Sequence, residues 1–172
     1  MELVGRNKMD SAVDFLQQEV YVPGFMTIKN FSYSNNMGYF EFNPVEFKVS
    51  PLGSIDYLTP RGLHLCISQS TYSLMEELIE NLDFGFEKSY LREVVTQGRI
   101  KIKKLFQDFR REVKSNQLLE GKVELVDFRT GRMPLLVFDF NFGNKSILGW
   151  TKNVIAPNSL PQTNINLTRL NR

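Results

Sequence analysis

Asp56, Tyr57, Leu58, Thr59, Pro60, Arg61 and Gly62 stand directly ahead of an apolar series at Leu63, Ile67, Thr71, Leu74, Leu78 and Leu82. Spacings of three and four mark that series as one face of a helix. Thr59 suits the N-cap, because a hydroxyl there accepts from a free amide, and Pro60 suits the first helical position, because it has no amide to satisfy. Free amides and the positive end of the helix dipole converge at such a start, so it favours an anion or a carbonyl oxygen gaining negative charge. The backbone from Leu58 to Gly62 could form an oxyanion pocket, with Asp56, Tyr57 and Thr59 as catalytic candidates and Arg61 and Gly62 as substrate contacts. The same residues also describe a well-capped helix and nothing more.

Further along the helix, Ser68, Gln69, Tyr72 and Glu76 fall near one polar stripe on an otherwise apolar element. Such a stripe lines a substrate tunnel or positions a water, with Gln69 as catalytic candidate and Ser68 and Tyr72 as substrate contacts; alternatively it makes ordinary helix-to-sheet hydrogen bonds. His64 could act as a general base or contact substrate, or be a structural histidine beside apolar neighbours. It is the only histidine, so any Ser/His/Asp or Cys/His unit must use it, and a multi-histidine zinc site within the chain is excluded. Cys66, between Leu65 and Ile67, reads as a small core residue rather than a nucleophile. As the single cysteine it forms no internal disulfide, which fits a reducing, cytoplasmic compartment.

These residues must be positioned by a small set of elements. Asp10 caps a short amphipathic helix through Val13, Leu16 and Val20, ended by Pro23-Gly24, that lies as a lid on the core. Phe25 to Tyr33 and Tyr39 to Val49 form a hairpin around Ser34-Asn35-Asn36 and Gly38, and the change of parity at Pro44 predicts a bulge. The long helix runs from about Thr59 to Leu82, widened by Cys66, Met75 and Ile79, and is central and largely buried. A short helix at Ser89 to Gln97 precedes strands at Arg99 to Val113, Leu118 to Phe128, Met133 to Phe142 and Ser146 to Ile155, with turns at Arg129-Thr130-Gly131 and Gly143-Asn144. The expectation is one α+β domain over residues 1–155 and a polar, loosely ordered tail over 156–172.

The bulk numbers agree. A chain of 172 residues, 42% hydrophobic and 23% charged, suits one globular domain and would cramp two. A net charge of +2 from 21 basic and 19 acidic residues is too balanced for a nucleic-acid binder. No run approaches the roughly 20 apolar residues of a membrane span, and the first nine residues carry no apolar core of signal length. Arg99, Lys101 and Lys103 alternate along a strand, with Lys104, Arg110, Arg111 and Lys114 after them, so one sheet face could be basic and suit phosphates or an acidic partner. Asp108 and Glu112 could equally balance it as a solvated face.

Two pieces of text, Leu65-Cys66-Ile67-Ser68-Gln69-Ser70-Thr71-Tyr72 and Phe109-Arg110-Arg111, carry a resemblance. The first is similar to Leu-Cys-Phe-Asn-Gln-x-x-Tyr, and over roughly residues 31–155 the chain resembles the FcoT-like acyl thioesterases of the hotdog-fold superfamily. Gln69 and Tyr72 match that pattern, whereas Ser68 stands where the family has asparagine. At the helix entrance the family's Gly-His-x-Asn-x-x-Glu is replaced by Asp56 to Gly62, so only the position is retained. The resemblance implies an antiparallel sheet wrapped around the long helix, and a homodimer or homotetramer. It also implies a fatty acyl thioester substrate on coenzyme A or acyl carrier protein, in lipid metabolism or a biosynthetic line, with no cofactor beyond what the substrate carries. Hydrolysis is the leading reaction, with glycine addition to an enoyl thioester in the same family. The dehydratase pattern finds Pro51 and Leu65 at its positions, and the hydratase text is approached by Asp56, Pro60 and His64 at the wrong spacing. Dehydration or hydration is therefore the runner-up, and the altered entrance also admits a noncatalytic acyl-binding subunit.

Overall fold

A computed structural model describes residues 9–22, 24–44, 48–50, 53–54, 58–114 and 116–156. Their order is α1 (Met9–Phe15) running into a π-helical turn (Leu16–Val20), β1 (Ile28–Ser34), β2 (Met37–Phe42), β3 (Lys48–Ser50), β4 (Gly53–Ser54), α2 (Pro60–Leu78), α3 (Lys88–Thr96), β5 (Ile100–Phe109), β6 (Leu119–Arg129), β7 (Leu135–Phe142) and β8 (Ile147–Ile155). Six strands form one antiparallel sheet in the order β1-β2-β6-β7-β8-β5, so β1 and β5 are its edges; β3 and β4 pair separately.

Alternation decides which face is covered. Along β7 the residues Leu136, Phe138, Phe140 and Phe142 are buried while Asp139 between them is exposed. Val123 and Leu125 of β6, Phe40 and Phe42 of β2, and Ile147 and Ile155 of β8 join them in one core with Leu63, Ile67, Leu74 and Leu78 of α2. Phe42 and Phe142 meet edge to face at 5.6 Å between centroids, and Gly121 makes their room: a Cβ there would stand 2.1 Å from the Phe142 ring.

Several boundaries differ from the sequence reading, each for a nonlocal reason. The first strand begins at Ile28 rather than Phe25, because Thr27 N–H and the Phe25 carbonyl are bonded to the Gln69 side chain. The extended run after Tyr39 is divided rather than bulged: β2 ends at Phe42, and residues 48–50 turn to pair with 53–54. α2 stops at Leu78, where Asn81 N–H donates to the Leu78 carbonyl and its side chain to that of Glu77. Arg99 leaves the basic face altogether. It is buried, donating to the Ala156 carbonyl, Gln97 Oε1 and the Tyr90 hydroxyl. The polar tail beyond 156 lies outside the described residues.

Candidate functional site

The mouth of α2 is tied down by its own backbone. Thr59 is the N-cap, its Oγ1 accepting from Gly62 N–H at 3.2 Å and its carbonyl from Leu63 N–H at 2.9 Å. Leu58 N–H donates to the Val113 carbonyl at 2.7 Å, and Pro60 has no amide. The amides of Leu58, Gly62 and Leu63 are thus committed to the cap and to the strand connection. That connection carries Arg110, Arg111 and Lys114, all exposed, so the bond from Leu58 to Val113 sets a basic segment beside the helix start. Asp56 and Tyr57 lie outside the described residues.

Most of α2 is buried, yet one stripe is not. Arg61 and His64 are exposed and Ser68 and Tyr72 half-buried, and the spacing of four from His64 to Ser68 to Tyr72 aligns them on one face. Gly62 is buried behind them. Gln69, fully buried, is committed to the segment before β1: its Oε1 accepts from Thr27 N–H at 2.9 Å and Thr27 Oγ1 at 2.6 Å, and its Nε2 donates to the Phe25 carbonyl at 2.7 Å. Its amide therefore staples the segment leading into β1 onto α2.

One turn past Tyr72, buried Glu76 accepts from Arg92 Nε at 2.9 Å and from its Nη2, and Lys88 Nζ stands 3.6 Å away. The Arg92 guanidinium in turn lies 4.8 Å from the centre of the Phe15 ring. Tyr21, which comes directly after the π-helical turn, has its phenol pushed well above the ordinary tyrosine value, by burial first and by neighbouring Tyr72 second. Burial raises Tyr72 likewise. Both therefore remain neutral hydrogen-bond donors at neutral pH. The Cys66 thiol, with its Sγ 4.0 Å from Thr27 Oγ1, is pushed up to about 12, chiefly by burial, and so is no thiolate nucleophile near pH 7. No spacing rule marks Tyr21, Thr27 or Arg92, since each acquires its role from a partner distant in sequence.

A depression of 640 Å³ on the opposite face of the sheet is lined by Asn30, Tyr39, Glu41, Glu120, Lys122 and Asn141 among others. It touches none of the α2 stripe. Among the described residues no cluster of His, Cys, Asp and Glu could hold a metal, and no helix is long and apolar enough to cross a membrane.

No family model matches the sequence, and no curated protein does. Solved structures do. A thioesterase superfamily protein from Shewanella loihica PV-4 is 13% identical at a TM-score of 0.50, covering 82% of this chain and all of its own. A second Shewanella structure, from Shewanella oneidensis and described as a candidate thioesterase, is 12% identical at 0.54, covering 87% and 100%. At such identities the likeness speaks to architecture, and with the strand order and the central α2 it establishes the α+β hotdog fold for this chain.

Proposed function

We propose that the chain is a hotdog-fold enzyme that hydrolyses fatty acyl thioesters of coenzyme A or acyl carrier protein. The observation that carries this reading is the polar stripe Arg61, His64, Ser68 and Tyr72, which runs from an exposed helix start to a half-buried phenol along a helix that is otherwise largely buried. The two hotdog neighbours described as thioesterases support it.

The stripe offers two positions for the thioester carbonyl. At the mouth, Asp56, Tyr57 and Thr59 would orient water; at Tyr72, the neutral phenol would hold the carbonyl oxygen. The cap's use of the Leu58, Gly62 and Leu63 amides favours Tyr72. Ser68, one turn away, then orients the attacking water, and Gln69 holds the lid beside it. From Tyr72 back to Arg61 is 11 residues, about 17 Å of helix, comparable with the reach of a phosphopantetheine arm. The carrier's phosphates would meet Arg61, Arg110, Arg111 and Lys114, with His64 along the way. Water adds to the carbonyl carbon, the carbon–sulfur bond breaks, and the thiolate leaves and takes up a proton. The working unit is a homodimer joined through the β5 edge. The committed mouth also favours a second reading, an acyl-binding subunit without turnover.

Free thiol release from a panel of saturated acyl-coenzyme A substrates, monitored with a disulfide reagent, tests hydrolysis, since buried Cys66 gives no background. Release that falls in Tyr72→Phe but survives in Tyr57→Phe places the carbonyl at Tyr72. The reverse places it at the mouth, and saturable binding with no release leaves the acyl-binding subunit.

A further inference from the structure

The N-terminal segment crosses α2 between two clamps. On one side of Tyr72, Gln69 grips Phe25 and Thr27; on the other, Glu76 grips Arg92, which covers the Phe15 ring. Gln69, Tyr72 and Glu76 share a face of the helix. The described residues 15–22 and 24–27 therefore lie over the turn that bears Tyr72, Tyr21 among them.

Tyr21 is brought there by an irregularity. Its N–H closes on the Leu16 carbonyl at 2.9 Å, five residues back, at the end of a complete π-helical turn. Such turns are rare and are frequently found at functional sites. Since one residue of an α-helix turns roughly 100°, the wider winding re-aims the residues beyond it. Tyr21 packs against the same core as Tyr72, near enough for the Tyr72 phenol to disfavour ionisation of Tyr21.

We propose that Tyr21 is a catalytic residue of the candidate thioesterase site, its phenol and that of Tyr72 forming a two-donor oxyanion hole for the thioester carbonyl. The inference rests on the thioester reading and supplies the donors that the α2 cap has withdrawn from the helix mouth. As water bonds to the carbonyl carbon, the carbonyl oxygen gains a negative charge and is held by two O–H groups that keep their protons. The charge returns as the carbon–sulfur bond breaks. Neutral phenols in a dry setting suit this, because donors fixed in advance are worth far more there than in water. The ligand class is an acyl group presenting one carbonyl oxygen under the lid.

The test pairs two nonhydrolysable acyl-coenzyme A analogues: a ketone, with a methylene inserted between sulfur and carbonyl, and the thioether lacking the carbonyl oxygen. Calorimetry on the full chain should show the ketone bound more tightly. Tyr21→Phe and Tyr72→Phe should each erase that preference while binding the thioether as the parent protein does, and each should lower kcat about a hundredfold. A ketone preference retained in Tyr21→Phe overturns the inference and leaves the thioester reading standing. A parent protein that binds neither analogue and releases no thiol overturns both. Unchanged thioether binding also certifies that the variants fold.

Discussion

At the scale of single residues, α2 shows how one helix divides its polar side chains between holding and acting. Gln69 holds. Gln69→Leu keeps the volume but leaves Thr27 N–H, Thr27 O–H and the Phe25 carbonyl without their partner, and buried groups so stranded are costly. Urea denaturation should show a loss on the order of 3 kcal/mol, with the lid loosened first in hydrogen exchange; a loss indistinguishable from zero would mean that the staple is replaced by water. Cys66 and Tyr21 make a second prediction, about alkali. Both have folded pKa values raised above their unfolded ones, from 9.0 to about 12 for Cys66 and upward from 10.0 for Tyr21. The unfolded chain therefore loses these protons first. Their contribution is whole below pH 9 and is lost progressively between 9 and about 12 for Cys66, and from pH 10 upward for Tyr21. Cys66→Ala and Tyr21→Phe should each flatten the fall of stability with pH in its own window, read from urea midpoints. The polar stripe singles out Gln69 and Tyr72 in the sequence, but not the residues that each meets. The staple needs Thr27, and the phenol pair needs Tyr21, 42 and 51 residues away along the chain.

At the scale of elements, the start of α2 was more legible than its end. Thr59 and Pro60 announce the beginning of α2 through chemistry confined to one turn, and the structure begins the helix at Pro60. Its end depends on the Asn81 side chain and on a turn that still buries Leu82 in part, which periodicity alone extends as helix. The π-helical turn has no signature of its own; it persists because Leu16 is buried below and the clamps fix both ends of the lid. Sheet alternation was legible in β7, where Leu136, Phe138 and Phe140 share a face. It was less so in β6, where a bulge between Leu125 and Asp127 puts Val126 outside. Gly121 is the concealed constraint in that strand. Gly121→Ala pushes a methyl into the Phe142 ring, which is also wedged against Phe42. Because the core is close-packed, the expected cost is about 1–3 kcal/mol, measured as a lowered Tm with the fold retained. A Tm equal to that of the parent would show that the rings can move aside.

At the scale of the whole molecule, the sheet order leaves β5 as an edge of ten residues, and edges of that length are ordinarily covered. Its chemistry is self-complementary. Lys103 and Lys104 lie toward one end and Asp108 toward the other, with Phe106 between them, 52% exposed and stacked on Trp150. Antiparallel pairing of two copies about an axis near Phe106 would set Lys104 against the partner's Asp108 twice, and would continue the sheet through both molecules. Asp108 already bonds Arg110 at 2.8 Å, so the pairing competes with an exposed local bridge of small worth. The dimer is therefore expected to show its charge dependence in a swap experiment. Lys104→Glu should weaken the dimer seen by light scattering, as should Asp108→Lys, and the two changes together should restore it, because the opposed pair is rebuilt with its signs exchanged. A double variant no better than the singles would remove this edge from the assembly, and a parent protein that stays monomeric as its concentration rises would remove the dimer itself. The outcome bears on chemistry as well as assembly. A copy seated on β5 approaches the segment carrying Arg110 and Arg111, which the Leu58 to Val113 bond ties to the mouth of α2. If that segment receives the carrier's phosphates, the single charge reversal that weakens the dimer should also raise KM for acyl-coenzyme A, and the double variant should bring it back, while the Tyr21 and Tyr72 effects on kcat stay in place.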